Sequence, residues 1–270
     1  MGNFSETPRM LEDNHADILG KACSGLGISP GRFPNAFLEA PGEGEVRSAA
    51  AALGLGADAL WAIARGEYRP VSGAVPDGFA MFTTPFGDME VNSYAVWDES
   101  SGTAAAFDTG ADCDGVLDLV RDRGLRLETV FITHTHGDHI YDLDRLLKKT
   151  GAKARTAEPV DGAEVFVPGQ TFAVGGLKVS TRLTCGHSPR GVTYVVEGLA
   201  RRLAVTGDAL FAGSMGGGKI SYADALRTTR EEILSLPGDT LVCPGHGPLT
   251  TVAQEILHNP FFAVPARSGR

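Results

Sequence analysis

Residues 129–149 read TVFITHTHGDHIYDLDRLLKK. Thr129–Thr133 is a short run of β-branched and aromatic residues, which predicts a buried strand. From Asp138 to Lys149, Ile140, Leu143, Leu146 and Leu147 fall on one face at helical spacing, which predicts a helix. Between them stand His134, His136, Asp138 and His139. A strand end is a rigid base from which side chains converge on a cleft. His134 and His136 point the same way from an extended segment, whereas Asp138 and His139 turn away as the helix begins. Imidazole and carboxylate together suit zinc, manganese and iron. Two ligand types facing two directions predict two adjacent metal sites.

Three more donors lie downstream. His187 sits in Cys185-Gly186-His187-Ser188-Pro189 and His246 in Pro244-Gly245-His246-Gly247-Pro248, both wrapped in turn residues that present a ring to a cleft. Asp208 follows the strand-like Leu203-Ala204-Val205-Thr206-Gly207. A lone histidine is usually a surface or core residue. Here five of the seven histidines fall in three tight motifs, which a purely structural role does not require. His15 and His258 lie outside them and receive no role. Cys185 and Cys243 stand two and three residues before the candidate ligands His187 and His246, and thiolate is a good zinc ligand. Seven nitrogen and oxygen donors already fill two sites, so both cysteines read as buried structural thiols. Asp108 precedes Thr109-Gly110 and has two readings, an acceptor that orients the metal-bearing loop or a turn-forming residue.

Outward from this centre, Met89–Trp97 alternates with period two and Thr103–Phe107 is a second strand. Asp112–Arg123 is helical and stops at Gly124. Short strands are expected around 152–156, 163–167, 171–174, 177–184, 192–197 and 202–206, then a helix at Ala223–Leu234, a strand at Thr240–Cys243 and a helix at Thr251–His258. Strands mixed with helices predict an α/β fold with helices outside the sheets. The composition shifts near residue 70. Glu45–Leu53 and Ala57–Arg65 form an Ala/Leu-rich helix pair, and the Arg69–Pro76 linker ends it. The expected division is a helical N-terminal extension, 1–75, and a catalytic unit, 76–270.

The donor motifs together resemble the metallo-β-lactamase superfamily, and especially the short glyoxalase II-like hydrolases. That family carries H-x-H-x-D-H, a G-H-[ST]-P-G-like turn, T-G-D and a final P-G-H-G. This chain has HTHGDH, GHSPRG, TGD and PGHG in the same order. Asn92-Ser93-Tyr94 and Asp108-Thr109-Gly110 resemble the family's opening strand pair, so the likeness spans roughly residues 79–263. It implies an αβ/βα sandwich with two divalent metals at one edge, zinc first and iron or manganese as alternatives. It implies that His134, His136 and His187 bind the first metal, that Asp138, His139 and His246 bind the second, and that Asp208 bridges both. The implied reaction is hydrolysis of a small-molecule thioester, ester or lactone, with a hydroxide shared by the two metals attacking the carbonyl carbon. The Gly213–Lys219 loop departs from the G-R-x-D/F of many relatives. Glyoxalase II enzymes also carry a long C-terminal helical domain, and only 24 residues follow His246 here. The alternative the resemblance allows is a persulfide dioxygenase with one iron on His134, His187 and Asp208, although the Arg-Thr-Asp of those enzymes is missing. A non-enzymatic metal-binding protein has no need of all seven ligands.

Bulk properties exclude other classes. A net charge of −9 without a basic stripe disfavours nucleic acid and anionic membrane surfaces as partners. In residues 1–75, six Lys/Arg stand against nine Asp/Glu, so the helix pair is not read as a DNA-binding module. It is expected to pack on the catalytic unit as a lid or a homodimer contact, with Phe37 and Trp61 as anchors. Four scattered cysteines, a polar N-terminus and the absence of a membrane-length apolar run point to a cytoplasmic protein. Gly2 is not read as myristoylated, because Glu6 replaces Ser or Thr.

Overall fold

The computed structural model describes residues 14–263. The expectations for Gly2, Glu6 and the extreme N-terminus, and for the last residues of the 76–270 unit, lie outside the described residues. The described chain opens with three helices, α1 (His15–Leu26), α2 (Glu43–Leu53) and α3 (Ala57–Ala64). There follow β1 (Phe79–Phe86), β2 (Met89–Asp98), β3 (Thr103–Phe107), α4 (Asp114–Arg123), β4 (Arg126–Phe131), α5 (Gly137–Ile140), α6 (Leu143–Thr150), β5 (Lys153–Thr156) and β6 (Ala163–Val165). The second half runs through β7 (Thr171–Val174), β8 (Leu177–Leu183), β9 (Val192–Glu197), β10 (Leu203–Gly207), α7 (Tyr222–Thr228), β11 (Leu241–Pro244), β12 (Thr250–Thr251) and α8 (Val252–His258).

The strands form two six-stranded sheets, ordered β1-β2-β3-β4-β5-β6 and β12-β11-β10-β9-β8-β7. In the first, β3 to β6 run parallel; in the second, β10 and β11 do. Strand periodicity sorts the side chains into three cores. Phe107, Phe131, Tyr194, Leu203, Val205 and Leu241 face inward and fill the space between the sheets. Their neighbours Ala104, Ala106, Val130 and Ile132 face outward and meet Val116 of α4 and Leu143 and Leu146 of α6. On the far side, Val195, Ala204 and Val242 meet α1–α3, α7 and α8. This is the αβ/βα sandwich expected from the sequence, with N-terminal helices present.

The N-terminal helices are therefore one outer layer of the sandwich. Ile18, Leu19, Ala22 and Cys23 of α1, and Leu60 and Ile63 of α3, share a core with Leu210, Met215, Ala225 and Phe261. Phe37 and Trp61, the expected anchors, are only half-buried at the margin of that core; the smaller aliphatic residues make the contact. Helix α1 was not expected. It starts at a capping box in which Asn14 accepts from the Asp17 amide and the Asp17 side chain accepts from Asn14. Its Gly25 lies so close to Tyr222 of α7 that a Cβ would enter the ring.

Other departures have local causes. Strand β1 was not expected, because Thr83-Thr84-Pro85 breaks its apolar pattern; it lies at a sheet edge, where Pro is tolerated. The single helix expected over 138–149 is two, α5 and α6. Asp142 stands at the joint, where its carboxylate accepts from the Cys113 amide at 2.9 Å. The helix expected over 223–234 is α7 followed by a π-helical turn, Thr229–Ile233. Among the described residues, no helix is long and apolar enough to cross a membrane.

Candidate metal centre

The predicted donors come together at one edge of the sandwich, most of them in the loops that follow strands and Asp138 and His139 in the first turn of α5. His134 follows β4, His187 follows β8, Asp208 follows β10 and His246 follows β11. Glycines permit the convergence. A Cβ on Gly245 would collide with Asp208 Oδ1 and His139 Cε1, and one on Gly207, at φ 49°, would collide with Thr133.

Two clusters result: His134, His136, His187 and Asp208 in one, and Asp138, His139 and His246 in the other. In the first, His136 Nδ1 lies 2.9 Å from His134 Nε2 and 3.1 Å from His187 Nε2. Asp208 Oδ2 is 3.3 Å from His187 Nε2 and 3.9 Å from His134 Nε2. The other oxygen of the same carboxylate, Oδ1, is 3.2 Å from His139 Nε2 and 3.5 Å from His246 Nε2. Asp138 Oδ2 completes the second cluster, 3.2 Å from His246 Nε2 and 3.5 Å from His139 Nε2. Asp208 thus gives one oxygen to each cluster.

The far side of most rings is fixed. His187 Nδ1 donates to Gly217 O at 2.9 Å and His246 Nδ1 to Glu90 O at 2.6 Å. Carbonyl oxygen only accepts, so in the neutral rings Nε2 carries the lone pair that faces the cluster. Asp108, read two ways in the sequence, supports the metal loop. Its carboxylate accepts from His139 Nδ1 (2.8 Å), Thr133 N (2.7 Å) and Thr133 Oγ1 (2.8 Å). Because that hydroxyl donates to Asp108, it accepts from His134 Nδ1 at 3.1 Å. Asp108 is buried with φ 54°, a left-handed conformation that Asp tolerates better than most residues.

The electrostatics divide the clusters. Burial holds the pKa of His134, His136 and His187 below the ordinary value, so these rings are neutral donors. Burial acts the same way on His139, but Asp108 and Asp208 outweigh it and raise its pKa to about 10. On His246, burial is outweighed by hydrogen bonds to Asp138 and Asp208, and the value rises to about 11. Asp138, in spite of burial, is brought down to about 2 by His246 and His139. Two imidazolium rings therefore supply the positive charge that the carboxylates demand. His139 Nε2 and Asp208 Oδ1 are buried and face each other at 3.2 Å, but neither has a partner in hydrogen-bond geometry. Orphaned buried polar atoms are costly. A divalent cation coordinated by both, with Asp138 and His246, removes that cost, so the donor set fits a metal pair.

Cys185 and Cys243 join neither cluster, and burial raises both thiol pKa values. Both thiols are protonated; Cys243 is buried as expected, whereas Cys185 is only partly buried. One residue with no sequence signal also belongs here. Glu158, in the loop after β5, is buried and accepts from Thr135 N (3.0 Å), Thr135 Oγ1 (2.8 Å) and Arg190 N (2.9 Å).

The family model described as the metallo-beta-lactamase superfamily matches residues 86–246. The chain belongs to this superfamily. Similar members include the probable metallo-hydrolase YqgX of Bacillus subtilis (strain 168), 30% identical over 206 residues that cover 66% of this chain and 95% of that protein. The hydroxyacylglutathione hydrolase GloC of Haemophilus influenzae is 24% identical, over 66% of this chain and 95% of its own length. Among solved structures, a di-iron-bound form of TTHA1623 superposes with a TM-score of 0.53 at 25% identity, covering 67% of this chain and 99% of that one. In all three the match leaves about a third of this chain unpaired.

Proposed function

We propose that this superfamily member is a dinuclear metal-dependent hydrolase acting on the carbonyl of a thioester, ester or lactone. The observation that carries the reading is the division of one carboxylate, Asp208, between two complete donor clusters. His134, His136 and His187 would hold the first metal, Asp138, His139 and His246 the second, with Asp208 between them. When bound, such a pair supplies a Lewis acid for the carbonyl oxygen and a water acidic enough to attack at neutral pH.

The chain's own residues prepare the site. Asp208 sets the spacing of the clusters, and its two oxygens leave neither half short of a carboxylate. Gly217 O, Glu90 O and Asp108 aim the rings before substrate arrives, so little reorganisation is needed during reaction. Lys219 acts electrostatically on His136 and His187, which puts a positive charge beside the first cluster. That charge favours substrates carrying an anionic group. The names of the hydrolase relatives and the di-iron neighbour support this reading.

A one-iron persulfide dioxygenase would need His134, His187 and Asp208 alone. The second cluster is as complete as the first and holds the two orphaned atoms, which favours two metals. Elemental analysis of protein purified without added metal, followed by an anaerobic panel of thioesters and lactones, tests the proposal. Two metals per chain and turnover without oxygen are expected. One iron with oxygen-dependent turnover of a persulfide would overturn it.

A further inference from the structure

The three imidazoles of the first cluster come from two separate loops. His134 and His136 flank Thr135 in the loop after β4, and His187 lies within the loop 184–191 between β8 and β9. Neither loop belongs to regular structure, so something must hold their spacing. In the second cluster that task falls to Asp108, which grips Thr133 and His139 together.

Glu158 grips the loops of the first cluster in the same manner. One oxygen, Oε2, takes both the amide and the hydroxyl of Thr135, the residue between the two histidines. The other, Oε1, takes the amide of Arg190, three residues past His187. The Ser188 hydroxyl lends its charge further support. The Glu158 backbone is itself tied down, its amide donating to Thr156 Oγ1 at 3.0 Å, at the end of β5. Glu158 as a residue is only 7% exposed, so water competes little for these bonds. A single buried carboxylate thus spans the two loops that bring His134, His136 and His187 together, and it touches none of the second cluster's donors.

We propose that Glu158 is a positioning residue dedicated to the first metal site, fixing the distance between the His134–His136 loop and the His187 loop. The inference rests on the two-metal reading of the clusters. Charge-assisted bonds from backbone amides are the strong kind, and they are oriented by the rigid end of β5. Replacing Glu158 by Gln turns one acceptor oxygen into an NH2 group. In either amide orientation, the Thr135 pair or the Arg190 amide then faces a donor.

The test is a zinc titration of the full chain in competition with a chelator, followed through histidine-ring NMR resonances. In the wild type, zinc should shift the rings of both clusters. In Glu158→Gln, the His134 and His187 resonances should need about 10–100-fold more zinc, the range for residues that orient ligands. His139 and His246 should respond as in the wild type. Thr135→Val, which removes one donor and keeps the carboxylate, should give a smaller loss confined to the same rings. It also carries the test should Glu158→Gln fail to fold. Equal weakening at both clusters, or no change at the first, would overturn the role of Glu158. A wild type whose rings ignore zinc would instead overturn the metal reading itself.

Discussion

Asp108→Asn separates hydrogen-bond chemistry from shape. Asn tolerates the left-handed φ of 54° as Asp does, so the backbone gains no strain. Asn Oδ1 keeps the bond from Thr133 N. The new NH2 faces two groups, Thr133 Oγ1 and His139 Nδ1. A hydroxyl has two lone pairs, so Thr133 accepts the amide and keeps its bond from His134. His139 has no such freedom. Its Nδ1–H meets another donor, and relief comes from giving up the Nδ1 proton, which leaves the ring's remaining proton on Nε2, the atom that would bind the second metal. The lost bond is charge-assisted, worth about 1.5–3 kcal/mol. At about 1.4 kcal/mol per factor of ten, that is roughly a 10–150-fold weaker second site. The assay is zinc titration read at the His139 and His246 rings, with those of His134 and His187 as internal reference. Equal weakening at all four rings would show that Asp108 serves the scaffold as a whole. No change would show that it sets no tautomer. Either result refutes the argument.

Other predictions follow from the same geometry. Asp208→Ala removes a ligand from both sites, so turnover should fall by more than the ~10–100-fold typical of groups that only orient ligands, and elemental analysis should show both metals weakened. In metal-free protein, the pKa of His139 is raised to about 10 and that of His246 to about 11, above the unfolded value of about 6.5. Their contribution to stability is therefore complete below about pH 6.5 and lost as pH rises towards 10 and 11. Zinc must displace the same protons, so the Tm gap between zinc-loaded and chelated protein should widen from pH 6 to 9 and should not narrow. Tyr68→Phe removes a donor to the buried Glu255, 3.0 Å away, and should cost about 1–3 kcal/mol in chemical denaturation while both metals stay bound.

The site was legible because its donors are rare residue types packed into short motifs. HTHGDH, GHSPRG, TGD and PGHG need no structure to be seen, and β3 matches its expected limits because Thr103 and the apolar Ala104–Phe107 lie between turns. Edge strand β1 escaped because Pro85 and two threonines mask its pattern, and α1 because its apolar residues are interleaved with Gly20, Lys21 and Gly25. Its capping signal, Asn14 and Asp17, was present and unused. Glu158 was not legible at all. Its partners lie 23 and 32 positions away, and no local spacing marks a carboxylate that braces two distant loops.

Glu255 of α8 is buried and receives four hydrogen bonds: from Tyr68 before the linker, Thr250 of β12, Gly213 of the loop after Asp208, and Asn259. The N-terminal helices are thereby knotted to the same carboxylate as the loop beside the metal centre. Cutting the peptide bond chain within Arg69–Pro76 would not shed them as a detachable module. A protease nick there should yield two fragments that stay together through gel filtration, melt in a single cooperative transition and part only in denaturant.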